Sequence, residues 1–553
     1  MSNSDWPSTR LDKRSWSRLD WALVAALAGF VVLTRIPFCF RIFCYWDDVH
    51  YAWGVTDYDV SRYRPHPPGY FLFVATAKLF NAVTHNTYAA LVTTVVVYSV
   101  AAVIALYILA YLMFNRATAI VAALLFATTP VFWFYGEVIM SYVAGSAFAV
   151  TIALVTYITF TERRAHWLYI SCGILGLAGG IRQELTVLLA PMVLVAAVRI
   201  RTGIVRAMIA MAILLAAIAS WLLPMLYLSG GLRAYLSAVY DQQRIFVSGQ
   251  PIVHAHSLLR AVPRTWFLAQ LGAVVPGGLF LFSPLWIRGI RLTISDFRVQ
   301  LLTTWIIPSS LFFVFVYFGN PGYLLPTLPA FYVAIGYCLV ECGRGCASKG
   351  LGRYAIAIYT AVIISFNVAV FMFPVPESMR VGAKREFEQR STREIVTSVI
   401  FKTLLIHSYT NIVANNRVAE EYTNAIRAVG CPEGHVAVLS MGTSPVGGLA
   451  IPYYVATDTI YYVDDLDAHM PGSVREWDRH SLRVLRSSPP NPIPMDDDVK
   501  CLAVISDGTD KHFSELSAQM PFQRVRVDDQ GSLFVSLHIP NAFRIADLTF
   551  QHD

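Results

Sequence analysis

The densest group of ionisable side chains in the apolar part of the chain lies between Arg41 and Tyr70. This segment reads RIFCYWDDVHYAWGVTDYDVSRYRPHPPGY. Between its aromatic residues it packs seven ionisable side chains of interest, namely Asp47, Asp48, Asp57, Asp59, Arg62, Arg64 and His66. Residues 1–376 contain only 13 acidic residues, and four of them lie in this one segment. Anchoring alone does not explain that density, so the segment is a candidate site of chemistry.

This combination of side chains suits the transfer of a group from a phosphate ester to a nucleophile. A carboxylate takes a proton from the attacking group, while cations or amides hold the departing phosphate. Because a lipid-linked phosphate is a good leaving group, a base matters more than an acid that protonates it. One carboxylate of the pair Asp47 and Asp48 would suffice. The alternative is a solvated loop with aromatic residues at the membrane surface.

Two further candidates for substrate binding lie in turns between later apolar runs. Glu137 ends the sequence FYGE, and a lone glutamate between apolar segments is costly unless it faces protein or water. Arg182 lies in the turn sequence GGIRQE, where a guanidinium can reach a phosphate. Glu184 is close enough in sequence to pair with it, so the alternative is a structural ion pair that closes the turn.

The remaining candidates lie in a long polar loop and at the start of a late apolar run. The loop over 229–263 contains Arg244, and we interpret it as a lid whose arginine binds the phosphate of a donor. Tyr323, in the sequence NPGYLLP, can donate a hydrogen bond to phosphate or sugar. An aromatic residue at the membrane interface explains it equally well. Arg64 and His66 complete the predicted substrate-binding residues.

The elements that position these residues are predicted to be membrane spans. Of the 553 residues, 56% are hydrophobic and 14% are charged, which excludes an ordinary soluble globular protein. A span needs about 20 apolar residues, and about eleven such runs occur. They lie near 20–37, 88–114, 117–135, 138–160, 167–181, 184–198, 204–228, 264–287, 300–318, 322–341 and 354–375.

Short basic turns between these runs predict the side of the membrane that each turn faces. They lie at 13–18, 116, 163–164, 199–206, 288–298 and 344–353, as expected of cytoplasmic turns in an inner or plasma membrane. The N-terminus is therefore predicted to be cytoplasmic, and the loop 38–68 to be external. The short stretch 69–83 would break this alternation if it crossed. We interpret it as an interfacial or re-entrant helix, the alternative being a true span with a weaker segment miscounted.

The chain changes character near Pro374–Pro376. Residues 1–376 carry 26 Lys and Arg against 13 Asp and Glu, whereas 377–553 carry 17 against 23. The second part has helix-like segments at 394–406 and 411–429 and short strand-like runs at 435–439, 459–463, 501–505 and 533–537. We predict a transmembrane domain over 1–376 and a soluble, extracytoplasmic α/β domain over 377–553. Because the basic residues cluster in short turns, nucleic acid is not an expected partner.

Neither a cofactor nor a metal is predicted from the residues themselves. Acidic clusters at 464–467 and 496–498 lack the spacing of a calcium-binding loop, and no glycine-rich phosphate loop occurs. Four cysteines can oxidise if they lie outside the cytoplasm, but the sequence does not pair them. They are Cys39, Cys44, Cys431 and Cys501.

The acidic pair Asp47–Asp48 just beyond the first span, followed by His66, Pro67 and Pro68 before an apolar helix, resembles the first external loop of GT-C membrane glycosyltransferases. The chain looks most similar to protein O-mannosyltransferases, bacterial aminoarabinose transferases of lipid A and family 39-like transferases. The likeness covers about 15–375 in architecture, with sharp motifs only in 45–70. It implies an α-helical polytopic membrane fold with roughly a dozen spans and a polyprenyl- or dolichyl-phosphate sugar as donor. The C-terminal soluble α/β domain predicted above lies beyond the part that the likeness covers.

The resemblance also implies roles for individual residues. An acidic residue of this loop is catalytic in the family, so Asp48 or Asp47 is the expected base, and Asp48 is preferred. His66 stands where the family has His or Lys and is expected to contact acceptor or donor phosphate. Metal-dependent oligosaccharyl relatives hold a divalent cation with an acid at the place of Glu137. A divalent cation is therefore an alternative to a metal-free site.

These observations predict a glycosyltransferase in contact with membrane lipids. It would move a hexose or pentose from a polyprenyl phosphate to a lipid, glycan or protein acceptor outside the cytoplasm. A transporter or flippase of lipid-linked intermediates would instead carry ionisable residues in the middle of its spans. A non-catalytic scaffold whose outer domain binds a partner would leave the crowded first loop unexplained.

Overall fold

The computed structural model of the protein describes its backbone in fourteen ranges. They are 16–243, 295–315, 321–345, 349–372, 407–431, 436–440, 459–463, 474–478, 482–484, 492–495, 499–506, 511–528, 531–545 and 548–552. The chain separates into two compact units. The membrane unit comprises Met1–Cys39 and Pro67–Asn411, and the loop–tail unit comprises Phe40–His66 and Ile412–Asp553.

Helices make up most of the described chain. They are α1 (Arg18–Arg35), α2 (Trp46–Thr56), α3 (Phe71–Thr84), α4 (Thr87–Met113), α5 (Arg116–Thr128), α6 (Pro130–Tyr135), α7 (Tyr142–Glu162), α8 (Ala165–Ile181), α9 (Gln183–Arg199), α10 (Ile204–Leu228), α11 (Leu232–Gln242), α12 (Phe297–Phe315), α13 (Leu328–Gly345), α14 (Lys349–Met372), α15 (Tyr409–Ala428) and α16 (Lys511–Ser517). The sequence prediction of a mostly helical chain is confirmed.

Several of these helices have the length and composition of membrane spans. Within the described residues, five are long and apolar enough to cross a bilayer, namely Arg18–Phe38, Thr87–Met113, Tyr142–Glu162, Ile204–Leu228 and Tyr354–Met372. Each predicted apolar run falls on a helix, except 264–287, which lies outside the described residues. The run predicted over 117–135 is divided at Pro130. Proline has no N–H to continue α5 but fits the first position of α6.

An ion pair joins two basic turns that the sequence assigns to one side of the membrane. Ser17 caps α1, and Asp20 accepts a hydrogen bond from the Ser17 amide at 2.9 Å. Arg116 at the start of α5 donates to Asp20 from Nε at 2.8 Å and from Nη2 at 2.9 Å. The starts of α1 and α5 therefore lie at one end of the helix bundle. The chain must therefore cross the membrane an even number of times between the start of α1 and the start of α5. The helices α1 and α4 supply two crossings, provided that α3 does not cross. At about 21 Å, α3 is shorter than the hydrocarbon core of a bilayer.

Small residues let α8 approach α10 closely. A side chain on Gly176 would come within 2.7 Å of the Leu214 carbonyl oxygen. The Gly176 carbonyl accepts a hydrogen bond from the indole of Trp221 at 2.8 Å. Close backbone approach of this kind is a common way for helices to associate in lipid. Because α8 ends at Ile181, this packing fixes the position from which Arg182 begins the turn to α9.

The loop–tail unit combines strands with helices. The strands are β1 (Val436–Ser440), β2 (Thr459–Val463), β3 (Val474–Asp478), β4 (Leu482–Val484), β5 (Ile493–Met495), β6 (Cys501–Ser506), β7 (Gln523–Asp528), β8 (Gly531–Ser536), β9 (Ala542–Ile545) and β10 (Leu548–His552). In the described residues the largest sheet has the order β1-β6-β8-β7, with β1 and β6 parallel and the other pairs antiparallel. Tyr422 and Ile426 of α15 lie in the hydrophobic core formed with this sheet.

The predicted α/β character of the tail is confirmed by these elements. The helix expected at 411–429 is α15, and the strands expected at 435–439, 459–463, 501–505 and 533–537 are β1, β2, β6 and β8. The segment 394–406 lies outside the described residues. A disulfide bond joins Cys431, after α15, to Cys501 in β6.

The boundary between the units differs from the boundary expected at 376–377. Charge and hydropathy mark where apolar runs stop, whereas the units are defined by backbone proximity. By that criterion the loop Phe40–His66 groups with the tail, and the later boundary falls at Asn411 and Ile412.

Candidate active-site residues

In the acidic loop, Phe40–His66, Asp48 links the start of α2 to the backbone that precedes it. Asp48 lies in the first turn of α2, and its Oδ2 accepts hydrogen bonds from the amides of Cys44 at 2.8 Å and Tyr45 at 3.0 Å. The residue is 1% exposed. Burial raises the pKa of Asp48 well above its usual value, although the amide hydrogen bonds oppose that shift. Asp48 therefore holds the start of α2 together and is not open to solvent.

Asp47 has a different environment from its neighbour. Its side chain is 30% exposed, and its Oδ1 lies 3.7 Å from Nε2 of His66. The His66 ring is buried beside the rings of His50 and Tyr51, with centroid distances of 5.3 and 5.7 Å. Asp47 is also in the first turn of α2, where the helix dipole favours a negative charge. Of the pair Asp47 and Asp48, Asp47 is thus the accessible carboxylate, and it lies beside a buried imidazole.

Arg64 is paired with Asp57 within the same loop. Its Nη1 lies 3.0 Å from Oδ2 of Asp57, and Arg62 lies 3.3 Å from the same oxygen. A side chain on Gly54 would come within 2.9 Å of Pro65, so α2 and the end of the loop meet closely only because position 54 is glycine. Arg64 therefore helps to close the loop on itself.

The arginine–tyrosine cluster of the membrane unit is built around Arg182. The guanidinium donates from Nε to Glu184 at 2.6 Å and from Nη1 to the Ser141 hydroxyl at 3.2 Å. It lies over the rings of Tyr323 at 4.5 Å and Tyr142 at 4.6 Å, and Tyr70 is 5.8 Å away. The predicted Arg182–Glu184 pair is present, and Tyr323 is brought to the same place.

Electrostatics keep Arg182 charged in this position. Burial alone would lower the pKa of Arg182, but the Glu184 carboxylate raises it well above the usual value. Aromatic faces add cation–π attraction to the same guanidinium. A side chain on Gly322 would collide with the Tyr142 ring, so glycine is required for this packing. The cluster therefore maintains a permanent cation, which is the charge needed to bind an anionic group.

Glu137 occupies a different part of the membrane unit, next to Arg35. It lies between α6 and α7, is 1% exposed, and receives no hydrogen bond to either carboxylate oxygen from the described residues within normal geometry. Burial raises the pKa of Glu137 well above its usual value, and the charge of Arg35 opposes that shift. Arg35 donates to the Ala127 carbonyl at 2.7 Å.

Three residues that the sequence does not single out contribute to these surroundings. Tyr70 and Tyr142 flank Arg182, and the Tyr142 ring lies 5.0 Å from that of Tyr135. His407 lies 3.4 Å from the Tyr135 hydroxyl, measured from Nε2. Tyr70 ends the HPPGY motif, which is a usable signal. Tyr142 and His407 carry no sequence signal, because aromatic residues make up 13% of the chain and His407 is distant in sequence.

Two further sequence predictions concern Arg244 and a bound divalent cation. Arg244 lies outside the described residues. Across the described ranges, no group of three or more His, Cys, Asp or Glu side chains is placed to hold a metal ion.

Comparison with known proteins identifies the fold. Residues 65–227 match the family described as dolichyl-phosphate-mannose-protein mannosyltransferase. ArnT from Cupriavidus metallidurans in the apo state aligns with a TM-score of 0.55 at 12% identity, covering 93% of this chain and 97% of ArnT. ArnT bound to undecaprenyl phosphate aligns with a TM-score of 0.54 at 13% identity, covering 95% and 100%. The chain has the GT-C fold. No curated protein sequence matches it.

The family match covers only some of the candidate site residues. The matched segment includes His66, Glu137 and Arg182 but begins after Asp47 and Asp48. Similarity of sequence therefore does not reach the acidic pair. The evidence for that pair is its geometry at the start of α2.

Proposed function

We propose that the protein transfers a sugar from a polyprenyl-phosphate donor to an acceptor on the extracytoplasmic side of the membrane. The GT-C fold supports a membrane glycosyltransferase. The matched family is described by a dolichyl-phosphate-linked donor, and ArnT, which shares the fold, has been seen bound to undecaprenyl phosphate. A lipid-linked phosphate is thus the donor chemistry that the comparisons support best.

The observation that carries the proposal is the accessible Asp47 carboxylate held beside His66. In the proposed reaction Asp47 takes a proton from the acceptor hydroxyl or amine, whose lone pair forms a bond to the anomeric carbon. The bond between that carbon and the phosphate oxygen breaks, and polyprenyl phosphate leaves with the electron pair. General-base catalysis requires a carboxylate that substrate can approach. Asp47 meets this requirement, so we prefer it to Asp48, whose Oδ2 already serves two amides.

Arg182 is the residue that we assign to the donor phosphate. Its charge is held by Glu184 and by the aromatic faces of Tyr323 and Tyr142. A guanidinium binds phosphate through charge-assisted hydrogen bonds. We assign Tyr323 to the same group, as a hydrogen-bond donor. We keep Glu137, a buried residue between α6 and α7, as a predicted substrate-binding residue.

The disulfide bond of the tail supports the assignment to the outer side. Cys431 and Cys501 are both buried and lie 5.9 Å apart between Cα atoms, within the usual range for a disulfide. Disulfides persist in oxidising compartments and are rare in the cytosol. The basic turns assigned to the cytoplasm point to the same orientation.

The test is a transfer assay with purified full-length protein. A panel of polyprenyl-phosphate hexoses and pentoses is incubated with lipid, glycan and protein acceptors, and acceptor-dependent release of polyprenyl phosphate is measured. Nucleotide sugars serve as the control donors. We expect release from one lipid-linked donor, none from nucleotide sugars, and none with the variant Asp47→Asn/Asp48→Asn.

A matched control removes a negative charge elsewhere in the loop–tail unit. Glu515 lies at an exposed position of α16, so the variant Glu515→Gln should transfer sugar at the rate of the wild type. Full transfer by the double Asp variant, or reaction with nucleotide sugars alone, would contradict the proposal.

A further inference from the structure

The acidic loop is held by two adjacent asparagines of α15. Asn416 accepts a hydrogen bond from the Arg41 amide at 3.0 Å, and the Cys44 thiol lies 3.6 Å from the same oxygen. Asn415 donates from Nδ2 to the Tyr45 hydroxyl at 3.0 Å. These contacts join residues about 370 positions apart in the chain, and all of them meet the loop just before α2.

The same short segment, 41–45, also binds Asp48. Cys44 and Tyr45 direct their amides to the Asp48 carboxylate, so the segment is fixed by the first turn of α2 on one side and by α15 on the other. Asp47 precedes Asp48 in that turn. A shift of the segment would therefore change the direction of the Asp47 carboxylate.

Asparagine is a costly choice for the interior of a helix unless its side chain is used. It is less favourable there than alanine, and a buried amide is destabilising when it lacks a hydrogen bond. Asn416 is 8% exposed, whereas Asn424, about two turns later in the same helix, is exposed. The hydrogen bonds to the loop offset these costs for Asn416. These hydrogen bonds account for the two adjacent asparagines, whereas packing of α15 against the sheet does not.

We infer that Asn415 and Asn416 are positioning residues for the Asp47 carboxylate, which makes α15 part of the framework of the reaction. The inference rests on the proposed function, because it assigns the asparagines to the same transfer. Neither residue touches substrate in this scheme. They act by holding the segment that aims Asp47, so their loss should lower turnover and leave donor binding nearly unchanged.

The experiment uses the full-length protein and the polyprenyl-phosphate donor that the wild type accepts. Asn416→Leu keeps the side-chain size but removes the acceptor of the Arg41 amide. We expect kcat to fall about tenfold, as for loss of a buried hydrogen bond, with the donor KM changed less than about twofold. Asn424→Leu, on the exposed side of the same helix, should match the wild type.

A double-mutant cycle tests the second contact without relying on Asn416. Asn415→Ala and Tyr45→Phe each remove one partner of a single hydrogen bond. If that bond positions the loop, each variant lowers kcat, and the double variant is no slower than the slower single variant. A purely structural effect would lower the melting temperature without this coupling in kcat. If Asn416→Leu fails to fold, the double-mutant cycle still tests the positioning role.

The outcomes separate the inference from the proposed function. If Asn416→Leu keeps kcat within about twofold of the wild type, or if the cycle in kcat is additive, the positioning role is wrong. Loss of transfer in Asp47→Asn in the same assay would then leave the proposed function standing. Retention of transfer by Asp47→Asn would overturn the proposed function itself.

Discussion

Charged residues are buried in both the acidic loop and the arginine–tyrosine cluster, but the consequences differ. In the loop, the buried Asp48 serves backbone amides and the neighbouring Asp47 remains accessible. In the cluster, Arg182 is itself the buried charge and is surrounded by aromatic faces and one carboxylate. A carboxyl can lose its charge when it is buried, whereas a guanidinium keeps its charge.

Burial therefore has to be interpreted according to the chemistry of the group. For the acidic pair, the buried Asp48 is a structural link because its Oδ2 accepts two amide hydrogen bonds, and Asp47 is the member with solvent access. For an arginine, burial strengthens its attraction for an anion, because there is less water to screen the charge. In the proposed reaction, the proton acceptor is Asp47 of the loop–tail unit and the cation that binds phosphate is Arg182 of the membrane unit.

The sharpest test of this comparison separates the two aspartates. Asp47→Asn should lower kcat by about 10²- to 10⁴-fold, the usual contribution of a general base, and leave the melting temperature unchanged. Asp48→Asn should lower kcat less than about tenfold, because an amide oxygen can still accept one backbone hydrogen bond. Release of polyprenyl phosphate under saturating donor measures both. The reverse order of effects would make Asp48 the base.

Breaking the disulfide tests whether the loop–tail unit has its own stability. In the chain-entropy description, a bridge that closes a separation of 70 residues stabilises the fold by about 4 kcal/mol. Cys431→Ser/Cys501→Ser should therefore lower the temperature at which that unit unfolds. Limited proteolysis across a temperature series, with fragments identified by mass spectrometry, measures it. Cys172→Ser, which removes a cysteine of α8 outside this unit, is the control.

The outcome for the two units should differ. Cleavage in the disulfide variant should appear first within 412–553, while α4 and α7 remain protected. Equal loss of protection in both units would show that their stabilities are not separable in this way.

Much of the architecture could be predicted from the sequence, because the apolar runs are long and their ends carry charge. The helices α4, α7 and α10 follow directly from hydropathy. The Arg182–Glu184 pair was also within reach, because the two residues are only two positions apart. Pro130 divides a predicted run, and its effect is clear only once the start of α6 is seen.

The surroundings of the candidate residues were less predictable. The pair Asp47 and Asp48 is identical in residue type, so sequence could not show which one caps α2. That difference depends on backbone amides at 44 and 45. The contacts of Asn415 and Asn416 join segments that are distant in the chain, so no local sequence pattern predicts them. Tyr142 is one of many aromatic residues, so its place under Arg182 had no distinct signal.

A smaller effect is expected when the buried cation is removed from the arginine–tyrosine cluster. Arg182→Gln/Glu184→Gln removes both charges, so that no unpaired carboxylate is left behind. The donor KM should rise about tenfold or more, the size expected for loss of a charge-assisted hydrogen bond to phosphate. Initial rates over a range of donor concentrations measure it. Glu184→Gln alone should raise KM less, because the cation remains. An unchanged KM in the double variant would reduce Arg182 to a structural role.

The smallest effect concerns the stability contributed by Asp48. Burial raises the pKa of Asp48 well above its usual value, so the folded protein binds this proton more tightly than the unfolded chain does. Its contribution is fully present below the unfolded pKa of about 3.9 and is lost as the pH rises through the folded value. Asp48→Asn lacks this titration and costs about 1 kcal/mol as a weakened helix cap. The wild type should therefore exceed the variant in melting temperature most clearly near pH 4, and the gap should narrow toward pH 8. Tryptophan fluorescence during thermal unfolding in detergent measures the gap, and a gap that widens with pH would mean that Asp48 is held as a carboxylate.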